Sequence, residues 1–425
     1  MNIRVISSPI MRQIIPVLRN RVPGQLVIQY TDECNASCPQ CGMRRYNSFR
    51  RSRLDKDTCR KIIDSAVLSG VVSLSFTGGE PFLYLDDIIG LLRYARISGI
   101  PYTRTGTNGF IFMHHGGPGF EKRISEIALK LKDAGVYTFW ISIDCHDAAL
   151  HEQMRGLPGV VEGIRKALPI FLFHDHGIYP SANLGISKAI TDLRDIDTGD
   201  PLPYYEAFRH GFRLFYEFII GLGFTIANAC YPMSIADEND AKLNAVYRAT
   251  SSSGLMRFSK AERAQVYRAL FDTIPEYRGR IRIFSPRCSL HSLIRDHEGI
   301  AEASSPCRGG SDFFFIDAKD GDTFPCGYRG SENLGKYWDL DRSRHTSSIS
   351  CRACDWECFR DPSEMISPLF PLLPWPSGIL TRLNSDRDFL RLWFEDWMYY
   401  RTCGFFNCTK APDYPKMANF SPGRT

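Results

Sequence analysis

Between residues 25 and 230 the chain alternates short apolar runs with segments of helical periodicity, and this alternation constrains the fold more than any other feature. Leu26–Thr31, Val71–Thr77, Tyr102–Thr107, Tyr137–Ile143, Tyr179–Ile186 and Phe224–Ala229 read as six strands. Lys56–Ser69, Leu85–Ser98, Glu121–Ala134, Val160–His174 and Tyr204–Leu222 read as the helices between them. Strands that alternate with helices build an α/β fold with a parallel sheet and helical crossovers. Chemistry in such folds gathers at the carboxyl ends of the strands. The conspicuous motifs all fall there: a cysteine loop after strand one, Gly78-Gly79-Glu80 after strand two, Thr107-Asn108 after strand three, and Ser142 with Asp144 after strand four.

Composition narrows the function class. The 425 residues are 44% hydrophobic, enough for a large domain with an appendage. A net charge of +5 is small and dispersed, so no nucleic-acid partner is expected. Arg4, Arg12, Arg19 and Arg21 interrupt the first apolar runs, which argues against a signal peptide. No segment supplies the ~20 apolar residues of a spanning helix; Phe212–Phe224 is short and carries Arg213 and Glu217. The expected location is the cytoplasm, with membrane association left open because Ile3–Leu18 has amphipathic character. Its plainer reading is a helix that covers one end of the core. The expected organisation is an N-terminal segment 1–24, the α/β domain 25–234, a helical bridging region 235–300, a cysteine-rich domain 301–410 and a loosely ordered tail 411–425.

Fourteen cysteines are many for a reducing compartment, where clustered thiols signal metal or catalysis rather than disulfides. Cys34-Asn-Ala-Ser-Cys38-Pro-Gln-Cys41 places three thiols on one short loop. Three thiolates hold three irons of a cubane and leave one coordination position open; a zinc knuckle completed by a distant cysteine is the other reading of the loop alone. Thirty-seven residues beyond Cys41 comes Gly78, in Phe76-Thr77-Gly78-Gly79-Glu80-Pro81. Two glycines allow close approach to backbone, and Glu80 adds a carboxylate, so the strand end offers acceptors for an ammonium group.

The cysteine loop and the Gly-Gly-Glu-Pro strand end together resemble the radical S-adenosylmethionine superfamily. The resemblance implies a partial (β/α)6 parallel barrel, a 4Fe–4S cluster on Cys34, Cys38 and Cys41, and S-adenosylmethionine chelated to its unique iron. It implies reductive cleavage of the sulfonium to a 5′-deoxyadenosyl radical that abstracts a substrate hydrogen atom. Carried over residue by residue, Gly78, Gly79 and Glu80 match the segment that holds the methionine amino group. Ser142 and Asp144 match the strand end near the ribose, and Arg155 resembles an arginine that reaches the methionine carboxylate. Asn108 resembles a third-strand asparagine, and Ser187 a ribose contact after strand five.

A second cysteine group begins at Cys307, continues through Lys319-Asp-Gly-Asp322, a hairpin signal, to Cys326, and resumes as Cys351-Arg-Ala-Cys354-Asp-Trp-Glu-Cys358, then Cys403 and Cys408. It resembles the SPASM extension of radical enzymes, which holds one or two auxiliary iron–sulfur clusters. The later spacing departs from that pattern: one cysteine of the run is absent, and Cys403 and Cys408 are expected to substitute, with Cys288 as a possible eighth ligand. A structural zinc site is the alternative for this group. Cys59, Cys145 and Cys230 read as core cysteines, and His146 and His151 as exposed loop residues. The aromatic helix around Tyr204–Tyr216 and the aromatics of 388–406 suit packing; the Phe370–Trp375 run is a stiff apolar loop. By resemblance, the partners are an electron donor such as flavodoxin or ferredoxin and a small-molecule, lipid-like or peptide substrate. The competing reading is a non-catalytic metal-binding scaffold that reuses the fold.

Overall fold

The computed structural model describes residues 22–41, 50–173, 175–191, 202–232, 246, 253–300, 303–341, 350–369, 379, 382–383 and 385–423. The Ile3–Leu18 helix and the Phe370–Trp375 loop lie outside them. The architecture is one nine-stranded sheet in the order β7-β6-β5-β4-β3-β2-β1-β8-β9, open rather than closed. The six expected strands are β1 (Gly24–Thr31), β2 (Val71–Gly78), β3 (Tyr102–Thr107), β4 (Thr138–Ser142), β5 (Ser181–Gly185) and β6 (Ile226–Cys230). They pair in parallel, neighbour to neighbour, as strands joined by helical crossovers do.

Helices α1 (Lys56–Leu68), α2 (Leu85–Ile97), α3 (Phe120–Asp133), α4 (Ala148–Arg155), α5 (Val160–Leu172) and α6 (Leu202–Leu222) are the crossovers. Local signals set their starts: the Asp55 side chain accepts the N–H of Thr58 and caps α1, and Asp147 caps α4 through the N–H of Leu150. Alternation in the strands sends Phe139, Ile141, Ala182, Leu184 and Ala227 outward into the core beneath the helices. Phe139 stacks on Phe82 at 5.4 Å and meets Phe171 at 5.7 Å. Truncating such a fully buried ring costs about 3–5 kcal/mol.

Two features escape the sequence pattern. A two-residue strand β7 (Arg282–Ile283) extends the sheet beyond β6; it is too short to carry a periodicity. The cysteine-rich region is also not appended at a distance. Its expected hairpin, β8 (Phe313–Ile316) and β9 (Thr323–Phe324), docks β8 in parallel against β1 and continues the sheet. The bridging region supplies α7 (Lys260–Tyr277), started by a capping box of Ser259 and Glu262, and α8 (Arg287–His297). Helix α9 (Glu357–Ile366) follows the second cysteine group, and α10 (Arg387–Thr402) packs its Phe389, Trp393, Tyr399 and Tyr400 against Ile226, Cys288 and Met365. Arg278, with no solvent exposure, lies 4.4 Å over the Tyr399 ring and pairs with Asp396 and with Glu395 at 3.0 Å. The tail, expected to be loose, is anchored: α11 (Tyr414–Met417) buries Met417, and Phe420 meets Tyr399 at 5.1 Å.

Candidate functional site

The cysteine loop is clamped to the strand ends by backbone. Gly79 N–H donates to the Thr31 carbonyl and Glu80 N–H to the Glu33 carbonyl, both at 2.7 Å. A Cβ on Gly78 would stand 2.2 Å from the Thr31 oxygen, and one on Gly79 would stand 2.1 Å from the Glu33 oxygen. The two glycines are therefore needed for contact between the end of β2 and the cysteine loop, a closer cause than ligand approach. Glu80, 1% exposed, accepts the N–H of Phe82 at 2.9 Å and of Asn108 at 2.6 Å. Burial pushes its pKa up to about 7 against those hydrogen bonds. One Glu80 oxygen thus ties the end of β2 to the end of β3 and the other caps the turn at Phe82, on the carboxylate that the sequence offers to an ammonium group.

Asn108 completes the clamp. Its Nδ2 donates to Asn35 Oδ1 at 2.9 Å and approaches Cys34 Sγ at 3.7 Å. Cys34 Sγ also accepts the Ala36 N–H at 3.4 Å. The three thiols lie within one another's electrostatic reach and remain half-buried. Burial pushes the Cys38 thiol up to about 12, with Arg155 opposing. A thiol in that state ionises when a metal supplies positive charge. The donor set suits a cluster held on three sides.

The end of β4 holds the loop from the other face. Arg155 donates to both Asp144 oxygens, Nε at 2.7 Å and Nη2 at 2.8 Å, a bidentate pair with Asp144 1% exposed. Burial raises the Asp144 pKa, but the Arg155 charge outweighs it and the carboxyl lies below its usual range. Gln40, from the cysteine loop, hydrogen-bonds the same carboxylate, and Ser37 N–H donates to the Arg155 carbonyl at 2.9 Å. So Asp144 and Arg155, expected at two different parts of the cofactor, are first of all partners of each other. Gln40 and Asn35 were missed by the sequence reading, although their positions between the cysteines were the available signal.

His151, expected to be exposed, is fully buried and accepts the Asp144 N–H on Nδ1 at 3.1 Å. Its 3.7 Å approach to the Asp144 carboxylate would favour the imidazolium. An accepting Nδ1 requires the neutral ring, and burial lowers its pKa to about 4. Ser142 is half-buried at the end of β4, and the Ser187 hydroxyl is buried without a hydrogen-bond partner among the described residues.

The second cysteine group gathers differently. Cys307, Cys326, Cys351 and Cys354 line one cavity with Gly309, Arg329, Trp356, Phe359 and Arg360. Cys307 N–H donates to the Cys351 carbonyl at 2.8 Å, which places those two cysteines side by side. Cys307 Sγ accepts the Gly309 N–H and Cys326 Sγ the Tyr328 N–H, each at 3.4 Å, and Cys354 accepts from Trp356. This is the turn that also serves Cys34: a backbone donor two residues on supports a thiolate. No three His, Cys, Asp or Glu among the described residues converge as a single-ion site.

The other expected ligands are elsewhere. Cys408 exchanges backbone hydrogen bonds with Tyr137 at 2.9 Å and Tyr179 at 2.6 Å, just before β4 and β5. It therefore lies at the amino ends of the strands, opposite the cysteine loop. Cys403 and Cys288 belong to the apolar cluster under α10, and Cys288 Sγ contacts Met365 Sδ at 3.4 Å. Cys358 Sγ donates to Glu357 at 3.5 Å and packs on the same apolar cluster as Cys326 without lining the four-cysteine cavity. Cys358, Cys403 and Cys408, expected as ligands, are therefore not among the cysteines that line the shared cavity; spacing along the chain carries no information about where the fold takes each of them.

Part of the chain matches a known family. Residues 28–171 of the chain match the radical SAM superfamily, and a cysteine-rich C-terminal region follows them. Enzymes of this class use S-adenosylmethionine with a 4Fe–4S cluster, act on a substrate and require an electron source. More particularly, the chain is similar to the AdoMet-dependent heme synthase of Methanosarcina barkeri. The two are 24% identical over 312 residues, covering 73% of this chain and 79% of that protein. It is also similar to a probable GTP 3′,8-cyclase of Metallosphaera sedula, 32% identical over 145 residues, or 33% of this chain and 42% of that one. Among solved structures, native anSMEcpe with bound AdoMet and Cp18Cys peptide matches at 15% identity and a TM-score of 0.49, covering 93% of this chain and 98% of that one. No helix among the described residues is long and apolar enough to cross a membrane.

Proposed function

We propose that the protein cleaves S-adenosylmethionine reductively and uses the resulting 5′-deoxyadenosyl radical to abstract a hydrogen atom from a small-molecule, lipid-like or peptide substrate, aided by one auxiliary iron–sulfur cluster. The observation that carries this reading is the half-buried three-thiol loop, clamped by Gly78, Gly79, Asn108 and Asp144 at the carboxyl ends of the strands. Cys34, Cys38 and Cys41 would hold the catalytic cluster. The cluster and its ligand, when bound, supply the electron transfer and radical generation. The protein's own residues do the rest. Asn108 and the Ala36 N–H support the Cys34 sulfur, Asp144 fixes the orientation of Arg155, and Arg155 is the cation facing Cys34 and Cys38. Ser187, with its buried hydroxyl unsatisfied, is assigned to the cofactor along with Ser142.

The auxiliary ligands in this reading are Cys307, Cys326, Cys351 and Cys354. Their thiols ring a cavity rather than meet at a point, which suits a cubane better than a single zinc. The similarity to heme synthases extends over 312 residues, more than the α/β domain contains. The electron donor is assigned as a flavodoxin- or ferredoxin-type protein, and the location as the cytoplasm. Anaerobic reconstitution with iron counting and a 5′-deoxyadenosine assay under dithionite tests the proposal. The expected result is cofactor cleavage with about eight irons per chain, the sum of two cubanes. About four irons with cleavage removes the auxiliary cluster, and absence of cleavage removes the reading.

A further inference from the structure

The inner face of the sheet is polar. Strand alternation turns Arg104 and Gly106 of β3, Trp140 and Ser142 of β4, Asn183 of β5, and Asn228 and Cys230 of β6 inward, since their neighbours Phe139, Ile141, Ala182, Ala227 and Ala229 fill the outer core. Trp140 lies flat against Gly106, where a Cβ would stand 2.1 Å from its Nε1. Helix α9 closes this interior from the side: Gln25 Nε2 donates to the Cys358 carbonyl at 2.9 Å, and Tyr231 N–H to Glu357 at 3.2 Å.

Arg104 is the unusual member. Burial lowers its pKa, yet part of its surface stays accessible. Among the described residues no carboxylate comes within ion-pair distance of it; its guanidinium lies 5.8 Å from the centre of the Phe284 ring. The titratable groups within its electrostatic reach are Cys358, Cys230 and Glu357. Glu357 is engaged by Tyr231 N–H and both thiols, and burial pushes its pKa up, so it is a poor counter-ion. Arg282, the other guanidinium on this face, is bound to Thr225 and to the Lys410 carbonyl at the amino ends of the strands. A buried cation without a partner is costly, and a guanidinium fork matches a carboxylate. Beside it, Asn183 accepts from Asn228 and from Cys230 Sγ (3.3 Å) on Oδ1, which leaves its amide N–H₂ without a described partner.

We propose that this interior seats a substrate bearing a carboxylate, held by Arg104 with the Asn183 amide as a second donor. The inference rests on the proposed function and adds the substrate's chemical class. One uncommitted guanidinium balances one negative charge, which favours a carboxylate over a phosphate dianion.

The test uses the anaerobically reconstituted enzyme with S-adenosylmethionine bound, titrated calorimetrically with benzoate, benzamide and phenyl phosphate. Benzoate is expected to bind at least about tenfold more tightly than benzamide, the scale of one charge-assisted hydrogen bond. Arg104→Gln is expected to erase that preference and Arg104→Lys to retain part of it, each checked for folding by circular dichroism. Asn183→Asp, which sets a negative charge beside the seat, is expected to weaken benzoate by a similar factor. Benzoate no tighter than benzamide, or unchanged in Arg104→Gln and Asn183→Asp, overturns the proposal. Phenyl phosphate tighter than benzoate overturns the carboxylate class. Cofactor cleavage by the same wild-type preparation is read separately. Cleavage without carboxylate preference sinks only this inference, and carboxylate preference without cleavage sinks the radical reading while leaving the seat.

Discussion

The two cysteine sites solve one problem in opposite ways. Cys34, Cys38 and Cys41 come from eight consecutive residues, so spacing along the chain alone keeps the thiols near one another. Tertiary structure adds only the clamps, at Gly78-Gly79, Asn108 and Asp144. Cys307, Cys326, Cys351 and Cys354 come from three segments, and it takes the β8–β9 hairpin and the Cys307–Cys351 pairing to assemble them. The thiols of the first site are half-buried. The second is walled by Trp356 and Phe359, with Arg329 and Arg360 among its lining. The first set of thiols is thus written locally and half-buried, whereas the second is assembled from distant segments and walled by aromatic rings.

The sharpest test of that contrast is Cys38→Ala, which is expected to abolish 5′-deoxyadenosine formation while leaving the auxiliary iron in place. Retained cleavage would remove the loop from the mechanism. Next, Cys326→Ala is expected to lower iron by about four per chain, one cubane, with basal cleavage of the cofactor persisting; unchanged iron would strike Cys326 from the ligands. Asp144→Asn leaves the buried Arg155 charge half-satisfied. A loss of about 3 kcal/mol in denaturant unfolding is expected, and a loss below the error of that measurement would show the pair to be dispensable.

His151 gives a pH signature. Its pKa falls from 6.5 in the unfolded chain to about 4 in the fold. The folded protein therefore refuses a proton that the unfolded chain accepts, and the stability His151 confers is full above pH 6.5 and is lost as pH falls toward 4. The span is about 3 kcal/mol. Unfolding curves of His151→Gln should lack that slope; a slope equal to wild type would place the proton elsewhere. The smallest effect is expected for Cys408→Ala: unchanged iron, with a stability change of about 1 kcal/mol for a small buried side chain. Any loss of iron would return Cys408 to the ligand set.

Much of the fold was legible because β/α alternation repeats every few dozen residues, and six strands and five helices follow from periodicity alone. What periodicity could not give was β7, two residues long, and the attachment of β8 to β1, since pairing between strands so distant in sequence leaves no local trace. In the site, the sequence marks Gly78 and Gly79 as close-approach residues, and the fold shows the Thr31 and Glu33 carbonyl oxygens, which lead into the cysteine loop, against them. Arg155 and Asp144 were both singled out, and only the fold shows that they bind each other.

The sequence by itself determined the parallel strand–helix architecture, the three-thiol loop and the carboxyl-end placement of the motifs, because each depends on spacing within a few residues or one strand–helix unit. Only the tertiary structure decided which four of the seven later cysteines share a cavity, which end of the sheet Cys403 and Cys408 reach, and which cation faces the interior. Those outcomes depend on how distant segments pack, and packing chooses partners by shape and burial rather than by distance along the chain.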